Sequence, residues 1–113
     1  MTPMELAQKY MDCFFGSTPL MAMKELLAED LVFEGPLVQF NNADDYIDSL
    51  IKDPPSHLEY ELLHAFEKNN TASLVYTFRK PLLGIEVNMS QTFTCDNGKI
   101  RSILLIFDSR EFI

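Results

Sequence analysis

Tryptophan is absent from this 113-residue chain, glycine occurs four times, cysteine twice, and nine basic side chains face seventeen carboxylic ones. Each scarcity excludes something. Four glycines and six prolines are too few for a collagen-like or low-complexity chain, and 47% hydrophobic with 23% charged residues is the composition of a core builder. Cys13 and Cys95 lack CxxC spacing, so they read as buried thiols rather than as a disulfide framework or a metal site. The shortage of Lys and Arg leaves a net charge of -8, which repels phosphate backbones and anionic lipid heads, so neither nucleic acid nor a membrane is an expected partner. No run approaches the ~18 apolar residues of a membrane span, and Met1 to Lys9 has no basic start followed by an apolar stretch. A single domain over residues 1–113 and a cytoplasmic location are the expectations.

What is present is patterned. Thr2-Pro3-Met4-Glu5 offers a capping hydroxyl, a proline at the first helical position and a glutamate for a reciprocal cap, predicting a helix from Pro3 to about Phe15 with Leu6, Tyr10, Cys13 and Phe14 on its apolar face. Gly16 stops it. Thr18-Pro19 repeats the start signal, and Leu20, Met23, Leu26 and Leu27 form the stripe of a second helix ending near Glu29. Leu31 to Glu34 is β-prone, and Gly35-Pro36 bends the chain. Asn42 caps a third helix through Lys52, with Tyr46, Ile47, Leu50 and Ile51 facing inward, and Asp53-Pro54-Pro55 ends it.

Beyond Pro55 the period changes from helical to alternating. Four strands follow, over 57–67, 72–80, 85–95 and 100–107, with Asp96-Asn97-Gly98-Lys99 as the clearest hairpin turn. In the first strand Leu58, Tyr60, Leu62, His64 and Phe66 share a parity; in the second, Leu74, Tyr76 and Phe78 do. The last strand is apolar on both faces, and its outer pair Leu104 and Ile106 predicts a homodimer through the outer sheet face. Helices first and a long meander afterwards is an α+β layout: a cone-shaped curved antiparallel sheet wrapped around three N-terminal helices, whose open end can hold a ligand.

This order of elements, together with Ala7-Gln8-Lys9-Tyr10, the run from Leu26 to Pro36 and Asn97-Gly98-Lys99-Ile100, resembles the nuclear transport factor 2-like superfamily from Thr2 to Phe112, and within it the SnoaL-like and ketosteroid isomerase-like branch. The resemblance implies a cystatin-like roll. The superfamily hosts isomerases, cyclases, dehydratases and noncatalytic partner-binding domains, so it does not fix a function. Its isomerases use an aspartate base and an oxyanion hole made by a helical tyrosine and a buried acid; those positions fall on Gly35, Tyr10 and Gln91. A glycine takes no proton, so ketosteroid-type isomerisation is not expected. Glu34 adjoins the vacant position, but alternation turns it to the other face.

The candidate groups are therefore Tyr10 and Gln91, each ligand-facing or simply bonded within the core, and His64, a possible base whose alternative is a satisfied core histidine. Tyr10, Phe14, Phe33, Tyr46, Tyr76, Met89, Gln91, Phe93, Leu105 and Phe107 are the expected cavity lining. His57 reads as solvated, and Asp44, Asp45 and Asp48 as charges favouring a helix N-terminus. No metal or cofactor is expected, since neither histidine has ligand spacing. The leading expectation is a domain binding a small apolar or neutral molecule, with any catalysis being cofactor-independent lyase or isomerase chemistry. The competing one is a noncatalytic dimerisation or protein-interaction module.

Overall fold

The computed structural model describes residues 1–113 and is an α+β cone. Helix α1, Pro3–Phe14, begins with the reciprocal cap that the sequence predicts: Glu5 N–H donates to Thr2 Oγ1 at 3.1 Å and Thr2 N–H to Glu5 Oε1 at 2.9 Å. Leu6, Ala7, Tyr10, Met11 and Cys13 form its buried face. Helix α2, Ala43–Lys52, is capped by Asn42, whose Oδ1 accepts from Asp45 N–H at 2.8 Å, and buries Ala43, Tyr46 and Ile47. Ile51, expected inward, is exposed. No helix is long and apolar enough to cross a membrane.

Between the helices the chain departs from the sequence reading. Leu20–Glu25 is a 3-10 helix, and strand β1 (Leu27–Glu34) already starts at Leu27. The stripe that suggests a helix is real, but Leu26 and Leu27 are used by the sheet: Ile100 N–H donates to Leu26 C=O at 2.7 Å, and Leu27 pairs with Ile100. A ladder partner more than seventy residues away outweighs local periodicity.

A two-residue strand β2 (Gln39–Phe40) folds back on β1. The meander follows as β3 (Glu59–Lys68), β4 (Thr71–Lys80), β5 (Ile85–Asp96) and β6 (Lys99–Ile106), giving the order β2-β1-β6-β5-β4-β3. All neighbours are antiparallel except β1 and β6, which run parallel. The sheet is thus mixed rather than wholly antiparallel, because β1 meets β6 only after the chain has travelled through the entire meander. Asn97 and Gly98 both take positive φ, 51° and 73°, as a tight hairpin turn demands.

One irregularity decides where several side chains point. Leu62 pairs with Tyr76, yet His64 pairs with Val75, so Leu63 is an extra residue in β3. Past it the parity inverts: Ala65 and Glu67 lie opposite the buried Leu74 and Ala72, while His64 and Phe66 turn to the outer face. Glu67 Oε1 there accepts Met4 N–H of α1 at 2.9 Å. The core lies between the concave face, carried by Leu74, Tyr76, Met89, Gln91, Phe93 and Ile103, and the helices. The convex face is rich in hydroxyls, with Ser73 bonded to Thr92 and Thr77 to Asn88, both at 2.8 Å. Beside these stand Val32, Leu104 and Ile106, exposed by 42, 41 and 58%.

Candidate functional site

The cone holds a cavity of about 700 Å³, within the range of small-molecule sites. Each element supplies part of its wall. Helix α1 contributes Tyr10 and Phe14, β1 contributes Phe33, α2 contributes Tyr46, β4 contributes Tyr76 and Phe78, β5 contributes Met89 and Gln91, and Leu105 and Phe107 close the β6 side. Exposed members of the lining mark the mouth: Leu37 and Val38 between β1 and β2, the loop from Asp53 to His57, and Leu82 and Leu83 after β4.

Four polar side chains sit inside, all nearly inaccessible. Tyr76 O–H donates to Gln91 Oε1 at 2.7 Å, and the Tyr10 and Tyr46 hydroxyls bond to each other. Gln91 also acts on the Tyr10 hydroxyl, favouring its ionised form, but burial outweighs it and pushes Tyr10 well above the ordinary phenol range. Burial likewise raises Tyr46 and Tyr76. The three phenols therefore stay protonated at neutral pH.

A count of hydrogens gives the chemistry. Three hydroxyls and one carboxamide bring three O–H and two N–H donors. One donor joins Tyr76 to Gln91 and one joins Tyr10 to Tyr46. A phenolic proton of the Tyr10–Tyr46 pair and the two amide protons of Gln91 are left over. The inner end of the cavity is an uncharged set of donors with hydrogens to spare, suited to an acceptor oxygen such as a carbonyl.

Nine of the ten side chains expected to line the cavity do so; Phe93 instead lies behind Tyr10, edge-on at 5.2 Å between ring centroids. Tyr10 and Gln91 are brought together. His64 is not: it lies exposed on the outer face, stacked on Phe66, because the extra Leu63 reverses the alternation on which its inward placement rested. Glu34 is exposed on the face opposite Phe33, as alternation requires. Gly35 lines the cavity, and a Cβ there would meet the Phe33 ring at 3.4 Å. The only lining carboxylate is Asp53, at the mouth.

Sequence reasoning missed the mouth. The Asp53–His57 loop, Leu37, Val38, Leu82 and Leu83 carry no periodic signal. Lys80 is different: it continues the inward parity of Leu74, Tyr76 and Phe78 on β4, so the strand pattern already contained it.

No curated protein sequence matches the chain. Among solved structures, a nuclear transport factor 2-like protein of unknown function from Cytophaga hutchinsonii superposes with a TM-score of 0.82 at 22% identity, over 99% of this chain and 95% of that one. A provisionally assigned ketosteroid isomerase from Kribbella flavida gives 0.78 at 17% identity, over 92% of this chain and 76% of the other. An epoxide hydrolase of the LEH-like type from M. tuberculosis gives 0.80 at 14% identity, over 94% and 82%. At these identities the likeness shows a shared fold. The profile of the SnoaL-like domain matches residues 7–103, and with the cone and its element order this establishes that the chain belongs to the SnoaL-like family, within the nuclear transport factor 2-like fold.

Proposed function

We propose that this SnoaL-like domain binds a mostly apolar small molecule in its cone and holds an acceptor oxygen of that molecule against the donors of Tyr10, Tyr46 and Gln91. The carrying observation is the surplus of uncharged donors at the inner end of a cavity of about 700 Å³ whose remaining wall is mostly aromatic and aliphatic. Neutral phenols suit a carbonyl because they donate without the desolvation cost that a buried charge brings. Isomerase or lyase chemistry would need a base near that carbonyl, and the only lining carboxylate lies at the mouth, so the geometry favours binding over proton abstraction. No cofactor is part of this reading.

Prodan, an apolar naphthyl ketone whose emission shifts to the blue when buried, tests it. The wild-type protein is expected to bind it with a blue shift, and Tyr10→Phe combined with Gln91→Leu to weaken binding about tenfold or more, the scale of losing one well-made hydrogen bond to a neutral acceptor. Unchanged affinity in that double variant would remove the polar array from the site. A homodimer through the outer face is also proposed, supported by exposed Val32, Leu104 and Ile106 on one convex surface.

A further inference from the structure

The cavity has a second polar locus, at the opposite end from the phenols. Lys80 is the only lysine or arginine in its lining. It ends the inner row of β4, is half-buried, and takes part in none of the protein's five ion pairs. None of the chain's six lysines forms an ion pair, so what sets Lys80 apart is its place in the cavity wall, where Asp53, the lining carboxylate, does not pair with it. Arg79, its neighbour on the outer face, bridges Glu61 and Glu86 at 3.0 Å each and so leaves those two carboxylates engaged away from the cavity.

We propose that the ligand is two-headed, with a carboxylate received by Lys80 at the mouth and an acceptor oxygen reaching the phenol–carboxamide array inside. The proposal rests on the binding function assigned to the cone and adds the identity of the ligand's outer end. The spacing follows from the strand: Tyr76 and Lys80 lie on one face four residues apart, which is about 13 Å at ~3.3 Å per residue. Between them the wall is apolar, with Phe78 on the same row and the Phe112 ring packed edge-on against it at 5.9 Å, so the middle of the ligand is apolar too. His57, held at the rim with φ of 56° after Pro54-Pro55, is a further donor on this side. The overall charge of -8 does not oppose this, because surface charges are screened beyond about 8 Å at physiological salt, whereas Lys80 meets the anion directly.

The test uses 11-oxododecanoate, an ω-terminal methyl ketone with a carboxylate at the far end of a chain of comparable span, and 2-dodecanone, which lacks the carboxylate. Each is titrated against bound Prodan. The keto acid is expected to displace the probe at about tenfold lower concentration than the ketone, as one charge-assisted hydrogen bond would give. Lys80→Met and Lys80→Gln should each abolish the tenfold preference, so that the keto acid no longer displaces the probe at lower concentration than the ketone. Lys9→Met, the same charge change on the exposed side of α1, should retain the preference. Equal displacement by both ligands in the wild-type protein, or a preference that survives both Lys80 variants, overturns the proposal and leaves the cone-binding function standing. Failure of both ligands to displace the probe overturns the two together.

Discussion

Substituting Gln91 and Tyr76 singly and together separates a designed polar contact from incidental packing. Gln91 is 3% exposed and its Oε1 is the acceptor for the Tyr76 hydroxyl at 2.7 Å. Gln91→Leu leaves a buried O–H without its acceptor, and Tyr76→Phe leaves a buried carboxamide oxygen without its donor; each is expected to cost about 1–3 kcal/mol. The double variant removes both halves of the pair and so incurs neither penalty in full. Its destabilisation should fall short of the sum by about 1–2 kcal/mol, well above the ~0.5 kcal/mol within which independent sites add. Urea unfolding followed by circular dichroism reads all four proteins, and constant slopes across them would confirm that midpoints report stability. Additive effects, or a Gln91→Leu protein more stable than the wild type, would refute the claim that the two side chains satisfy one another and with it the count of spare donors.

Because burial raises Tyr10, Tyr46 and Tyr76, the folded state keeps protons that the unfolded chain loses from about pH 10 upward; stability is complete below that pH and should then fall by ~1.4 kcal/mol per pH unit for each such phenol, and 295 nm absorbance should rise together with unfolding rather than before it. Early ionisation of three phenols in the folded protein would contradict their burial. Thr2→Ala removes the acceptor of Glu5 N–H and should cost about 1 kcal/mol in urea unfolding, with no change in Prodan affinity. Leu104→Lys with Ile106→Lys should give a monomer by light scattering, and a mass equal to the wild type would remove the proposed dimer face.

The sequence is most legible where the signal is local. The capping box of α1, the Asn42 cap of α2 and the Asn97-Gly98 turn each lie within a few residues and appear where expected. Alternation on β4 and β5 placed Tyr76, Met89 and Gln91 inward, which put most of the cavity wall within reach of a pattern argument. What eluded it is non-local or aperiodic. The 3-10 segment at Leu20–Glu25 looks like a longer helix because Leu26 and Leu27 fit a helical stripe and a strand equally well, and only pairing with Ile100 decides between them. The inserted Leu63 has no signature in composition, yet it inverts the five residues of β3 that follow it and moves His64 out of the site. The mouth is built from loops whose side chains obey no period, so only Lys80, at the end of a strand, was readable in advance.

The displacement of His64 is half of what that insertion does. Without Leu63, Glu67 would fall on the convex side and lose its reach to the first turn of α1, where its carboxylate now holds Met4 N–H. One surplus residue thus trades an imidazole at the ligand for an anchor that ties the outermost strand to the opening helix. Deletion of Leu63 should therefore loosen the amino-terminal helix and leave a flatter strand margin prone to stacking with other molecules, seen as faster amide exchange near Met4 and a rise in turbidity.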